Sequence, residues 1–256
     1  MKHYPILAWP GGKRRLAKQL IPIISSRPHT CYVEAFAGGG SMFFLRPPAE
    51  VEVLNDINGD VINLYRVVKN HLEEFLRQFK SALASRQLFE WAKETPPEVL
   101  TDIQRAARYL YIQKLSFGGK VTGQTFGYSP SAAPRFNILR LEEDLIQAHL
   151  RLSRVWIEHL DWSTCLKKYD RDYTLHFLDP PYWETEGYGV PFPLEEYHKL
   201  AESMRTIKGA AILTINDHPM MRKIFKGFRV ETADINYTIG GAGKGQNRRE
   251  LIFENW

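Results

Sequence analysis

Short apolar runs rich in β-branched and aromatic residues recur along the chain, and stretches with a helical repeat fill the intervals between them. The runs at 31–36, 51–55, 155–159, 175–178, 210–215, 228–235 and 249–253 predict strands. Helical patterns begin near Lys13, Asn58, Gln87, Asp102, Ile138, Leu194 and Pro219. Strands interleaved with helices predict an α/β fold with a mostly parallel, doubly wound sheet covered on both faces.

Two segments break the alternation. Between Ile235 and Arg249 only the glycine-rich Ile239-Gly240-Gly241-Ala242-Gly243-Lys244-Gly245 intervenes, so the last two strands are expected to form an antiparallel hairpin that closes the sheet. That run is not a phosphate loop: Thr238 holds the first glycine position and Gly245 follows the lysine where Ser or Thr belongs. From about Phe79 to Leu150 the strand rhythm stops, and two or three helices with a Gly/Ser/Pro-rich stretch at 118–134 replace it. The expected division is therefore a main domain from 1–78 and 151–256, with 79–150 as an inserted helical subdomain.

Composition adds little, and charge adds a direction. The formal net charge is +5 over 256 residues, a modest tilt towards acidic partners such as nucleic acid. Cys31 and Cys165 sit in apolar surroundings and read as reduced structural thiols. No stretch approaches the ~18 apolar residues of a membrane span, and Met1-Lys2-His3-Tyr4-Pro5 lacks the apolar run of a secretion signal. A cytoplasmic protein without a membrane partner is expected. His29, His149, His159, His176 and His218 show no ligand spacing, so no metal is expected.

Tyr32-Val33-Glu34-Ala35-Phe36-Ala37-Gly38-Gly39-Gly40-Ser41 is a strand running into a glycine turn and then a helix, and Asp56 closes the next strand. Glycines there let a ligand approach the backbone, and an acid at that distance suits a ribose diol. The dinucleotide pattern fails because Phe43 stands at its third glycine position, which leaves another nucleoside-bearing cofactor. A plain strand-to-helix turn with a surface Asp explains this segment equally well. A second glycine turn, Trp9-Pro10-Gly11-Gly12-Lys13, places Lys13, Arg14 and Arg15 at the start of a helical pattern, where the dipole disfavours cations. Something anionic should compensate, such as a cofactor carboxylate or a DNA phosphate, and Lys13, directly behind two glycines, is the best placed.

Asp179-Pro180-Pro181-Tyr182-Trp183 follows an apolar strand. Two prolines stiffen the loop and remove two donors while their carbonyls still accept, and Asp179 adds a carboxylate. Such a loop can draw on both hydrogens of a planar amine while an aromatic ring stacks on its heterocycle. Pulling on both hydrogens frees the nitrogen lone pair for attack.

These segments, in this order, resemble the Dam family of DNA adenine N6-methyltransferases, the D12 class in its α arrangement. Leu54-Asn55-Asp56-Ile57-Asn58, Tyr237-Thr238-Ile239-Gly240-Gly241 and Arg249-Glu250-Leu251-Ile252-Phe253-Glu254-Asn255 extend the likeness. The resemblance implies a Rossmann-like S-adenosylmethionine-dependent methyltransferase fold, with the insertion as its DNA-recognition part. It implies S-adenosylmethionine contacts at Trp9, Gly12, Lys13, Phe36, Gly38, Gly39, Gly40, Ser41, Asp56, Ile57 and Asp179. It also implies that Asp179, Pro180, Pro181 and Tyr182 hold a flipped adenine, with Asp179 and the Pro180 carbonyl accepting from N6 and Tyr182 stacking on the base. Methyl transfer would then be direct, without a covalent enzyme intermediate or a metal. Double-stranded DNA is the implied partner, for a monomer of bacterial or phage origin.

The insertion agrees with that partner. From Ile103 to Leu141 there is no Asp or Glu, while Arg105, Arg108, Lys114, Lys120, Arg135 and Arg140 alternate with Tyr109, Tyr111, Phe117, Phe126, Tyr128 and Phe136. Phosphates favour such a surface, and aromatic side chains can wedge between bases. The expected DNA contacts are Arg105, Lys114, Phe117, Lys120, Phe126, Tyr128 and Arg135. The arginine-containing segment of the GATC-specific members is not found, which leaves the recognition site open. RNA adenine, cytosine N4 and protein glutamine are the rival acceptors. Asp rather than Ser or Asn before Pro-Pro-Tyr favours adenine. A non-catalytic DNA-binding relic is opposed by the intact Trp9, Lys13, Asp56 and Asp179.

Overall fold

The computed structural model describes residues 4–9, 11–128, 131, 136–185, 189–237 and 246–256, with backbone alone at 235–237 and 246–248. A turn at 13–16 leads into α1 (Ala17–Ser26), followed by β1 (Cys31–Glu34), α2 (Ser41–Leu45), β2 (Val51–Asn55) and α3 (Gly59–Asn70). Among the described residues only helical elements and loops follow before the next strand: α4 (Leu72–Arg77), α5 (Arg86–Glu94), α6 (Asp102–Leu115) and α7 (Ile138–Leu152). Then come β3 (Trp156–Glu158), α8 (Trp162–Tyr169), β4 (Thr174–Leu178), α9 (Leu194–Thr206), β5 (Ala210–Asn216) and α10 (Pro219–Ile224). The chain closes with β6 (Arg229–Tyr237) and β7 (Gln246–Glu254).

The strands form one sheet in the order β3-β2-β1-β4-β5-β7-β6. β3, β2, β1, β4 and β5 run parallel. β7 is antiparallel to both of its neighbours, β5 and β6. The expected hairpin is present, but its antiparallel strand lies inside the sheet rather than at its edge. The crossover through α10 sets β6 one strand-width away from β5, and the hairpin return fills that gap. The glycine-rich connection, 238–245, falls outside the described residues, though the ladder reaches Tyr237 and Gln246 on either side of it.

Side chains alternate between two cores. Tyr32, Leu175, Phe177, Ile212 and Ile252 face α1 and α2, while Ala211, Leu213, Ile215, Leu251 and Phe253 face α8, α9 and α10. With both faces covered, β1 and β4 are buried at every residue, which is why apolar residues fall on both of their faces, interrupted by the buried Glu34, Thr174 and His176. α3 to α7 share one buried cluster, running from Ile6 through Leu54 and Tyr65 to Phe89, Leu110 and Val155. A charged knot pins the end of α7 to the sheet. Glu52 is gripped by Arg46 and Arg151, whose guanidinium groups lie 3.5 Å from the centre of the Tyr32 ring and 3.7 Å from that of Phe43.

The helix starts follow local chemistry. Asn58 caps α3 by accepting from the Asp60 and Val61 amides, and Thr101 with Gln104 forms a capping box on α6. The helix expected near Lys13 begins instead at Ala17. Gly12 donates to the Trp9 carbonyl at 3.0 Å, and the turn it closes sends Lys13 inward. β1 ends at Glu34 rather than Phe36 because Asn55 draws the chain off the sheet, donating from Nδ2 to the Ala35 carbonyl (2.9 Å) and accepting from the Ala37 amide (2.9 Å).

Candidate active site

Four parallel strands, β1 to β4, end on one side of the sheet, the position where open α/β sheets bind ligands. The loops leaving them carry the glycine turn 38–40, Asp56, Asp161 and Asp179, and between these loops lies a cavity of about 320 Å³. Trp9, Phe36, Gly38, Asp56, Ile57 and Asp179 line it, joined by Asn58, Asp161, Trp162, Pro181, Phe192 and Glu196. Gly12, Lys13, Gly39 and Ser41 line a smaller hollow of about 20 Å³ that shares Trp9, Phe36, Ala37 and Asp179 with it. Gly40 faces the core: its left-handed backbone starts α2, and a Cβ there would meet Phe44 and Tyr65.

Backbone geometry fixes the glycine turn. Gly38 has φ +46, and a Cβ at that position would stand 2.5 Å from the Trp9 Nε1. Its amide donates to Asp56 Oδ2 at 2.7 Å, the Asn58 amide donates to Oδ1 at 2.8 Å, and Tyr65 donates to the Gly38 carbonyl at 2.8 Å. Asp56 thus clamps the first loop to the second while remaining on the cavity wall. Burial pushes its carboxyl up, against the pull of those amides.

The far wall is aromatic. Phe36 stacks on Trp162 with ring centres 6.1 Å apart and meets the edge of Phe192 at 5.7 Å. The Trp162 indole N–H donates to Glu196 at 2.9 Å, and Asp161 caps α8 through the Ser163 amide at 2.9 Å. Asp56, Asp161, Asp179 and Glu196 line the cavity, and among its described lining residues there is no Lys or Arg. A flat slot walled by aromatics and ringed by carboxylates suits a nucleoside carrying positive charge.

Asp179 lies at the cavity's inner end. Lys13 Nζ is 2.6 Å from Asp179 Oδ1, and the Thr214 hydroxyl donates to the same oxygen at 2.9 Å. The anion expected to compensate Lys13 is therefore protein, Asp179 itself, with Glu250 Oε2 a further 3.9 Å contact. Burial pushes the Asp179 carboxyl up to about 6, although Lys13 pulls the other way. The loop is held from two sides. Tyr197 donates to the Pro181 carbonyl at 2.5 Å, and Asn216 exchanges hydrogen bonds with the Trp183 backbone at 3.0 and 3.1 Å. Tyr182 is only 9% exposed, and the Lys13 ammonium sits 4.7 Å from its ring centre.

On the other side of Trp9 a cleft of about 550 Å³ separates the segment Tyr4 to Trp9 from α6 and α7. Arg14, Lys114 and Arg140 line it, with one acid, Asp144. Lys114 is drawn down by burial. The insertion's basic and aromatic residues do not form a single surface. Arg105 pairs with Asp60 at 2.6 Å, Arg108 donates to the Ala92 carbonyl, and Tyr109, Tyr111 and Phe136 are core. Phe117 and Tyr128 are exposed at 47% and 71%, Lys120 is exposed, and Phe126 packs edge-on against Phe89. Arg135 lies outside the described residues.

Sequence reading missed Asp161, Trp162, Thr214, Glu34 and Glu250. The first two had a signal: Asp161 follows β3 as Asp56 follows β2 and Asp179 follows β4. The other three sit within strands and become neighbours of the site only through sheet order.

Residues 9–239 match the D12 class N6 adenine-specific DNA methyltransferases. Over 262 residues the chain is 25% identical to the Type II methyltransferase M.CviBI of Paramecium bursaria Chlorella virus NC1A, an alignment covering 98% of this chain and 99% of that protein. It is 28% identical over 257 residues to the DNA adenine methylase of Haemophilus influenzae, covering 93% and 88%. These likenesses run essentially end to end, so they concern the whole architecture and not one shared module.

Proposed function

The chain belongs to the D12 class N6 adenine-specific DNA methyltransferases, and from that premise we propose how its residues divide the work of methylating adenine N6 in DNA with S-adenosylmethionine as donor. The observation that carries the reading is Asp179, fixed by Lys13 and Thr214 at the inner end of an aromatic-walled, acid-lined cavity.

The cavity's chemistry fits the donor. The Phe36 and Trp162 rings offer an aromatic wall for its purine, Asp56 and Asp161 take its ribose and amine hydrogens, and the carboxylate ring favours its positive charge. Trp9, Gly12, Lys13, Gly38, Gly39, Ser41 and Ile57 enclose the remainder, and Gly40 shapes the turn from the core side. When bound, the donor supplies an electrophilic methyl group on sulfonium sulfur.

The target amine is handled by the loop after β4. Asp179 Oδ2, the oxygen away from Lys13 and Thr214, accepts one N6 hydrogen. Pro180 offers the second acceptor, since the Pro181 carbonyl is engaged by Tyr197. Tyr182, steadied by Lys13, provides the aromatic surface for the base. Drawing on both hydrogens localises the nitrogen lone pair for in-line attack, and holding two reactants together supplies much of the rate. Methylation leaves N6 one proton in excess, and Asp179 is placed to take it.

A stacked base cannot reach this depth, so the substrate is duplex DNA with the adenine flipped out. Residues 79–150 act as the target-recognition part of a catalytic domain made of 1–78 and 151–256, in a cytoplasmic monomer. Arg105, Lys114, Phe117, Lys120, Phe126, Tyr128 and Arg135 are its proposed DNA contacts. The test is transfer of labelled methyl to unmodified DNA, RNA and protein in parallel, with Asp179→Ala as companion. Label is expected as N6-methyladenine in DNA alone, and Asp179→Ala should abolish it while duplex affinity stays within about threefold. Equal loss of binding and turnover would make Asp179 a structural residue.

A further inference from the structure

Beneath the catalytic loop, two carboxylates share one ammonium, with a third close by. Asp179 leaves β4, Glu34 ends β1 and Glu250 lies on β7; Lys13 reaches them from the glycine turn before α1. Lys13 and Glu250 are buried to 3% and 1% exposure, and Glu34 to 2%. Lys13 Nζ stands 2.6 Å from Asp179 and 3.9 Å from Glu250. Glu34 has its own partners, accepting from the Tyr32 hydroxyl at 3.0 Å with Arg46 nearby. Glu250 is opposite Asn216 in the ladder, the residue that clamps Trp183 in the catalytic loop.

One ammonium shared by a buried carboxylate, Glu250, and a half-buried one, Asp179, cannot pair fully with both. Glu250 repels the Asp179 anion and also draws Lys13 away from it, and both effects make Asp179 a stronger hydrogen-bond acceptor. We propose that Glu250 is a positioning residue of methyl transfer: from 3.9 Å it competes with Asp179 for the Lys13 ammonium, and so weakens the hold that the 2.6 Å pair has on Asp179. This rests on Asp179 being the acceptor for the target amine. The groups facing Asp179 are Lys13 from the turn, Glu34 from β1, Glu250 from β7 and the Thr214 hydroxyl from β5, with the Tyr182 phenol over Lys13. Of these, Glu250 is the second carboxylate that reaches Lys13, at 3.9 Å.

The test is a carboxyl-carbon NMR titration of the full chain without donor or DNA, with the Asp179 signal assigned by its loss in Asp179→Asn. In Glu250→Gln the Asp179 midpoint should fall by about one pH unit, a tenfold change in the ratio of acid to carboxylate. The acid limb of single-turnover methylation should fall with it, while donor KM changes by less than about twofold. An unmoved or raised midpoint in folded Glu250→Gln overturns the proposal. A midpoint that falls while the methylation limb stays put overturns the acceptor reading, and with it any part for Glu250 in the reaction. If Glu250→Gln does not fold, Glu250→Asp decides the matter. It keeps the charge but draws it back from Lys13, and a midpoint at or above the unsubstituted value overturns the proposal.

Discussion

Replacing Gly38 with alanine should damage the cofactor site through Trp9. The new Cβ would lie 2.5, 2.8 and 2.9 Å from Nε1, Cε2 and Cδ1 of the indole, so the ring must retreat by about 1 Å to restore ordinary contact. Alanine in a left-handed conformation costs roughly 1–2 kcal/mol, and an indole forced off its rotamer adds about 1 kcal/mol. About 2 kcal/mol is then divided between folding and ligand binding. Borne wholly by binding, it lowers donor affinity about 30-fold. Borne wholly by the fold, it lowers Tm by roughly 4–8 °C. Calorimetric titration with S-adenosylmethionine and a thermal scan on the same sample measure both shares. Gly123→Ala is the control: φ there is +58 and nothing lies within 4 Å, so it carries the backbone strain without the collision. It should lose stability alone. Donor affinity within about twofold of the control together with a Tm no lower than the control's would refute the collision of Gly38→Ala with Trp9.

Three further expectations follow from buried polar groups. Thr214→Val removes a 2.9 Å donor to Asp179 with little change of shape. A hydrogen bond to a charged group is worth about 1.5 kcal/mol, so the acid limb of methylation, expected near the Asp179 value of about 6, should rise by about one pH unit; a stationary limb would separate Asp179 from the rate. His176 is fully buried, both ring nitrogens lack a partner among the described residues, and burial holds it at about 4. The unfolded chain binds that proton first, so stability is complete above the ordinary 6.5 and is lost as pH falls towards 4. His176→Leu should therefore gain roughly 2.5 kcal/mol on the unsubstituted protein between pH 7.5 and 4.5 in urea unfolding, and a constant difference would place the histidine's acid cost elsewhere. Glu52→Gln leaves Arg46 and Arg151 buried with no shared anion and should cost about 3–5 kcal/mol in the same assay. A loss under about 1 kcal/mol would mean that the aromatic faces of Tyr32 and Phe43 alone hold these cations.

The parallel sheet was legible because its strands are buried on both sides: Thr174 to Leu178 is buried at every position, carries three large apolar residues in five and is flanked by helical repeats. Asp56 and Asp179 were legible because they close such strands. The place of β7 was not, since sequence shows a hairpin but not which edge receives it. Lys13 was singled out for the right turn, yet its anion lies far along the chain at Asp179, a pairing no local pattern encodes. The basic stretch of the insertion was only partly informative. α6 is buried on nearly all sides from Ala106 to Leu115, which takes both Tyr109 and Tyr111 into the core, while Arg108 donates to the α5 backbone and Arg105 to Asp60, so cations close in sequence serve different tasks.

The hairpin return that places β7 between β5 and β6 has a consequence for the timing of assembly. Lys13 and Glu250 come together only when that strand threads into place, so the contact joins segments from opposite ends of the described chain. Contacts of such separation form late in folding. A growing or half-folded polypeptide would already hold the glycine turn and the Asp-Pro-Pro-Tyr loop, yet the ground beneath Asp179 would be missing. The two ends of the described chain therefore meet under the site last, and the support beneath Asp179 is completed only when β7 pairs with β5.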